Sequence, residues 1–153
     1  MTTEFHTRGF SDTAQFVDGQ SSEGRKHLSE LNVFGIESRL RDELATVWDE
    51  CREPNWDGHE ALPVTQDTLR NTYLFLESLP ADIPAPSIGA EPDGHSTLEW
   101  HHSARRTLSV SVSPEGDLHY SALFGSSRHY GTETFLGEVP KIILDLIRRV
   151  HAP

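Results

Sequence analysis

The chain has 153 residues, a formal net charge of −11 and 35% hydrophobic residues. This length suits one domain with a core of its own. The negative charge argues against direct binding to nucleic acid or to an anionic membrane, because their phosphates would repel the chain, but it permits a basic protein partner.

Cysteine usage and hydropathy predict a cytoplasmic location. Cys51 is the only cysteine, so an internal disulfide is impossible and a reducing compartment is favoured. It ends an apolar helical stripe, which predicts a buried small hydrophobic side chain and not a nucleophile. The N-terminus has no secretory signal, and no apolar run approaches the roughly 20 residues that cross a bilayer.

Residues 1–32 predict a flexible N-terminal tail, and residues 33–153 predict a single α+β domain. The tail is rich in Thr, Ser, Gly and Gln and shows no sustained period. A helical pattern then begins, in which apolar residues recur at steps of three and four. These positions are Ile36, Leu40, Leu44, Val47, Trp48 and Cys51. Pro54 disfavours helical angles at Glu53, so this helix is predicted to end near Arg52.

A second helix is predicted from Thr65, which is a good N-cap, to the residue before Pro80. Asp67 suits its first turn. Its apolar face is Leu69, Tyr73, Leu76 and Leu79. Pro80, Pro84 and Pro86 then predict a stiff extended linker.

Between Thr97 and Phe124 three runs have a period of two, which is typical of half-buried strands. Ser87 to Glu91 and Arg128 to Glu133 predict a first and a last strand. Turns such as Pro92-Asp93-Gly94 and Pro114-Glu115-Gly116 are short, so the strands are predicted to form an antiparallel meander. A closing helix from Pro140 has an apolar face. That face is Ile142, Ile143, Leu146, Ile147 and Val150. The predicted class is therefore α+β, with two N-terminal helices, four to five antiparallel strands, a C-terminal helix and all helices on one sheet face.

The predicted open face of the sheet is polar but almost uncharged. It consists of Thr97, Glu99, His101, Thr107, Ser109, Ser111, His119 and Ser121. Among these, Glu99, His101 and His119 have the chemistry to hold a zinc ion with an open position, or to act as general acids and bases. They support one hypothesis, a small metal-dependent or His/Glu-based hydrolase. No H-E-x-x-H, C-x-x-C, P-loop or dinucleotide-binding motif accompanies them, so no cofactor is expected.

The segment between the two predicted helices, Asn55 to Pro63, is unusually rich in functional side chains. Asp57-Gly58 is a strong turn signal, and Asn55 and Asp57 can each accept hydrogen bonds from nearby backbone N–H groups. Trp56 then has two interpretations. It either fills the gap between the helices and the sheet, or belongs to an exposed recognition edge with Asp57, His59 and Glu60.

Asn55-Trp56-Asp57-Gly58, followed by Ala61 and Pro63-Val64, resembles the signature of a family of small uncharacterised bacterial proteins. In that family the turn joins two helices ahead of a small sheet, and the resemblance extends loosely from Ile36 to Val150. Its members carry Tyr-Gly where this chain has His59 and Glu60. The occurrence of the family in mobile parts of bacterial genomes implies an antitoxin-like, immunity or defence role.

Negative charge is concentrated between Asp42 and Glu60, where seven carboxylates accompany one base, Arg52. Such a concentration can steer a basic protein into contact. The predicted partner-binding residues are Asp49, Glu50, Glu53, Trp56, Asp57, His59 and Glu60. The leading hypothesis is thus a non-enzymatic acidic protein-binding module. The alternatives are the hydrolase and a structural protein that forms homodimers or larger homo-oligomers.

Overall fold

The computed structural model describes residues 34–153, with side chains from Ser38 onward. The predicted tail and the side chain of Ile36 lie outside this description. The elements are α1 (Phe34–Cys51), α2 (Gln66–Glu77), β1 (Ser87–Ala90), β2 (Ser96–Ser103), β3 (Arg106–Val112), β4 (Asp117–Phe124), β5 (Ser127–Thr134) and α3 (Lys141–His151). The predicted α+β class and antiparallel sheet are confirmed. Among the described helices, none is long and apolar enough to cross a membrane.

The sheet is a meander in which every strand pairs antiparallel with its neighbour in the chain, in the order β1-β2-β3-β4-β5. Turn chemistry explains this simple order. In the β1–β2 turn, the Gly94 N–H donates to the Glu91 carbonyl at 2.9 Å, and the Glu91 N–H donates to the His95 carbonyl at 2.9 Å. Gly94 has a φ of +88°, which glycine adopts without steric cost. Among the described strands, β1 and β5 are consequently the two edges of the sheet.

One face of the sheet forms the core with α2 and α3. Its fully buried side chains include Leu98, Trp100, Leu108, Val110, Val112 and Leu118. From α3, the predicted residues Ile143, Leu146, Ile147 and Val150 are buried here. Ile142 was also predicted on this face but is 41% exposed, because each residue turns a helix by about 100° and this position falls at the flank of the stripe. On α2 the sequence pattern missed Phe75, which is 0% exposed.

Helix α1 lies over the edge of the sheet and not over its centre. Among the described elements it packs against β1 and α2. Leu44 and Trp48 contact Leu69 and Tyr73 of α2, while Ile88 of β1 packs against this cluster and its neighbours. This off-centre position leaves a groove beside β1.

We expect Leu108→Ala to lower the free energy of unfolding by about 2–5 kcal/mol, because it leaves a cavity in the core. Leu108 is 1% exposed. Its neighbour Ser109 lies on the opposite, partly exposed face, so Ser109→Ala is the matched control and is expected to change stability by less than about 0.5 kcal/mol. Urea unfolding of both variants measures the difference, and equal losses would contradict the assignment of faces.

Candidate functional site

The connector, residues 52–65, joins α1 to α2 and is closed by its own side chains. Oδ1 of Asn55 accepts the Glu60 N–H at 2.7 Å. Oδ1 of Asp57 accepts the N–H groups of His59 at 2.8 Å and Ala61 at 3.0 Å. These bonds satisfy the backbone of a tight loop in which no regular ladder is available. The Asn and Asp of the motif are thus used structurally.

Three connector residues have left-handed backbone angles, which shows how tightly the loop turns. Asn55, Gly58 and Glu60 have φ values of +61°, +76° and +66°. Glycine and asparagine tolerate this region, whereas glutamate does so at a cost in free energy. The hydrogen bond from the Glu60 N–H to Asn55 helps to hold that conformation.

Trp56 packs the connector against the rest of the protein. Its half-buried ring packs against the cluster of Val47, Cys51 and Val64. Its Nε1 donates to the Leu62 carbonyl at 2.8 Å. This arrangement supports the structural interpretation of Trp56, and the exposed part of the ring also forms part of a groove.

That groove, which we name the α1–β1 groove, has a volume of about 420 Å³ and lies between α1, the connector and β1. Its apolar lining consists of Val47, Cys51, Trp56, Ile88 and Ala90. Its charged lining consists of Arg39, Asp42, Glu43 and Glu50. Burial, helped by the nearby charge of Glu50, raises the pKa of the Cys51 thiol. The thiol therefore stays neutral, and Cys51 is buried as the sequence predicted.

Glu43 is the groove residue whose hydrogen bonding is incomplete. Its Oε1 lies 3.8 Å from Nε of Arg39. Its Oε2 is shielded from water and has no hydrogen-bond donor among the described residues. A carboxylate oxygen in this state costs free energy, because the water it has lost is not replaced.

The predicted partner-binding residues divide into two sets. Glu50 and Trp56 line the α1–β1 groove. The others lie outside its lining, and Asp57 is engaged in the connector turn. The exposed members of this second set are Asp49, Glu53, His59 and Glu60.

The three residues of the hydrolase hypothesis are not brought together. Glu99 and His101 lie on β2, whereas His119 lies on β4, and β3 separates the two strands. Two strand spacings separate β2 from β4 by about 10 Å, and the register offsets His119 along the sheet by two further residues from Glu99 and by four from His101. His119 instead forms a 2.9 Å hydrogen bond between its Nδ1 and Oγ1 of Thr132, and its ring stacks on His95 with centroids 5.7 Å apart. Glu99, His101 and His119 therefore do not form a three-ligand site for one zinc ion.

A different potential cation-binding set lies at the β1–β2 turn, where the sequence pattern had indicated only a turn. Glu91, Asp93 and His95 each offer a ligand atom, and these atoms lie within 4.8 Å of one another. Two carboxylates and an imidazole can ligate a divalent cation. The spacing E-x-D-x-H across the turn is the signal that could have identified this set.

A second cavity, of about 280 Å³, lies on the open face beside β1. Both Glu91 and Glu99 line it, together with the backbone around Gly89. Oε1 of Glu91 accepts hydrogen bonds from Oγ1 of Thr97 at 2.7 Å and Oγ of Ser111 at 2.5 Å. Thr97, predicted to be on the open face, is only 9% exposed, because it lies beneath this carboxylate. β1 is therefore bordered by an acidic cavity on each face.

Comparison of the chain with protein-family models, with curated proteins and with solved structures found no match. The resemblance carried by Asn55-Trp56-Asp57-Gly58 thus stays a prediction.

We expect Trp56→Ala to lower the free energy of unfolding by about 2 kcal/mol, since it removes a half-buried ring and its hydrogen bond. His59→Ala is the control within the same connector, because the His59 side chain is exposed. Thermal unfolding of both variants checks this, and an unchanged melting temperature for Trp56→Ala would show that the ring serves a partner and not the fold.

We expect Asp57 to make stability depend on pH below about pH 4, the ordinary pKa of an aspartate. The backbone hydrogen bond from His59, followed by that from Ala61, lowers the pKa of Asp57 in the folded protein. A lowered folded-state pKa contributes stability above the unfolded-state pKa, and this contribution is lost as the pH falls through the folded-state value. Asp57→Asn keeps the acceptor oxygen but loses the charge. We expect the Asp57→Asn variant to melt at a lower temperature than the wild type at pH 7, and the two proteins to melt at the same temperature in acid. A deficit independent of pH would contradict the argument.

Proposed function

We propose that this protein is a non-enzymatic binding module for a basic protein partner, and that the α1–β1 groove is its binding site. The observation that carries the proposal is Oε2 of Glu43, a shielded carboxylate oxygen without a donor among the described residues. Because the Glu43 side chain as a whole is 36% exposed, a rotation of its carboxylate would let a lysine or arginine of a partner supply the donor in a charge-assisted hydrogen bond.

The rest of the groove supports the same partner chemistry. Asp42, Glu43 and Glu50 outnumber Arg39 in its lining, so the local charge attracts a cationic surface and speeds encounter. The apolar residues between them offer surface that a partner can bury, which is the main favourable term in protein association. The charges thus favour association with a basic partner, and the apolar contacts stabilise the complex.

We further propose that the module acts in the cytoplasm, where the buried free thiol of Cys51 is stable. An acidic module that captures a basic protein fits the antitoxin-like, immunity or defence role implied by the family resemblance. Homo-oligomerisation through the acidic groove is disfavoured, because each copy would present the same carboxylates to the other.

We expect capture of the partner to depend on the carboxylates in the groove and not on net charge alone. In the groove variant, Glu43→Gln and Glu50→Gln are combined. In the matched control, Asp49→Asn and Glu53→Gln remove the same number of charges from exposed positions outside the groove. Immobilised wild type and both variants are exposed to extract from the source cells, and captured proteins are quantified by mass spectrometry.

A basic protein captured by the wild type and the control, but depleted on the groove variant, is the expected result. Thermal unfolding accompanies the assay to show that both variants are folded. If both variants capture equally little of the basic protein, net charge alone explains the loss. If the groove variant captures as much as the wild type, the groove is not the binding site.

A further inference from the structure

We infer that the partner binds by strand addition: an extended basic segment pairs with β1 as a sixth strand, beneath α1 and beside Gly89. This inference rests on the proposed function and specifies its geometry. It depends on the direction of the β1 backbone, the position of α1, the open space at Gly89 and the charges on both faces of β1.

The outer edge of β1 has backbone groups available for pairing. Glu91 directs both its N–H and its carbonyl toward the β2 side of the turn. Because this direction alternates along an antiparallel strand, Gly89 also faces β2, whereas Ile88 and Ala90 face outward. None of the described residues forms a hydrogen bond with the outward groups of Ile88 and Ala90. They are the donors and acceptors that an added strand uses.

Helix α1 flanks the position that a sixth strand would occupy, on the core face of the sheet. An added strand would lie about 4.8 Å beyond β1. The α1–β1 groove is assigned to this position because its lining combines residues of α1 with Ile88, Gly89 and Ala90 of β1. An incoming strand would thus bury its inner side chains against Val47 and Trp56, next to the carboxylates of Glu43 and Glu50.

Gly89 is not required by the backbone conformation of β1 or by packing against the described residues. Its φ is not in the left-handed region, and a Cβ built on it meets no atom of residues 34–153 within 4 Å. Glycine within a strand is destabilising relative to residues with side chains, and it often marks the close approach of a ligand or another backbone. Here it keeps the open-face cavity beside β1 clear.

The charges predict an alternating pattern in the bound segment. Successive side chains of a strand point to opposite faces. On the open face they would meet Glu91 and Glu99, and on the α1 face they would meet apolar residues flanked by Asp42, Glu43 and Glu50. A segment with lysine or arginine at every second position and apolar residues between them satisfies both faces.

Other occupants of this edge are less complementary. A second copy would pair its own β1, whose sequence Ser-Ile-Gly-Ala contains no base, and would bring a second acidic groove with it. The chain's own residues 1–33 contain five acidic and three basic residues. An extended cationic segment of a different protein fits best.

The test uses the full chain and a synthetic eight-residue peptide of alternating lysine and valine with blocked termini. A control peptide has the same composition arranged as four lysines followed by four valines. We expect the alternating peptide to bind at least about tenfold more tightly by fluorescence anisotropy. Amide hydrogen exchange, measured by NMR, should show that the N–H groups of Ile88 and Ala90 become protected when it binds.

A pair of variants tests the role of the glycine. Gly89→Val adds a side chain in open space and is expected to keep the melting temperature while weakening peptide binding at least about tenfold. Ser127→Val, at an exposed position on the opposite edge strand β5, is expected to leave binding unchanged. If Gly89→Val lowers stability, the exchange protection at Ile88 and Ala90 in the wild type still decides the question.

Several outcomes would overturn strand addition. If the peptide binds without protecting Ile88 and Ala90, or does not bind at millimolar concentration, strand addition is wrong but the proposed function is unaffected. Strand addition is also wrong if Ile88 and Ala90 are already protected in the free protein. Sedimentation velocity would then assign the edge to a second copy if the protein is a dimer, or to the chain's own residues 1–33 if it is a monomer. The proposed function fails separately, through the capture assay with the groove variant.

Discussion

The groove depends on one contact, the docking of the connector onto the β1–β2 turn. The Leu62 N–H donates to the Pro92 carbonyl at 2.8 Å, and the Val64 N–H donates to the Cys51 carbonyl at 2.8 Å. A Cβ on Gly94 would lie 2.7 Å from the carbonyl oxygen of Pro63, so glycine is needed for the two loops to approach this closely. These contacts fix the end of α1 relative to β1 and thereby set the width of the groove. The side chains of Asn55, Trp56 and Asp57 act through this contact, because they hold the connector in the shape that docks.

The same arrangement makes the structural role of the motif compatible with the binding role that we propose for it. Trp56 is held by packing and by its hydrogen bond to Leu62, and a ring fixed in this way presents a rigid apolar surface to the groove. Rigid aromatic surface loses little conformational entropy on binding. The structural interpretation of Trp56 and its contact with a partner are therefore compatible. His59 and Glu60 lie on the exposed side of the turn, outside the groove lining.

Much of the fold could be predicted because its signals are local. The period of two between Thr97 and Phe124, and turns such as Pro92-Asp93-Gly94, depend on residues close together in the chain. The site could be predicted only in part, because it depends on distant neighbours. Asp49 and Glu50 are adjacent in sequence, but a helix separates them by about 100°, so Glu50 lines the groove and Asp49 does not. The predicted meander placed a strand between those of His101 and His119, but the register, which sets their offset along the sheet, could not be read from the sequence.

An open sheet edge is an aggregation hazard, and natural proteins blunt such edges with charge. Beside β1 that charge is Glu91 and Glu99 on one face and the α1 carboxylates, including Glu43, on the other. Two copies meeting edge to edge would bring these groups together without compensating bases, so the charges that attract a basic segment also oppose self-pairing. A net charge of −11 reinforces this repulsion over longer distances. Under the proposed function, preference for a basic partner and protection of the edge are two consequences of the same carboxylates.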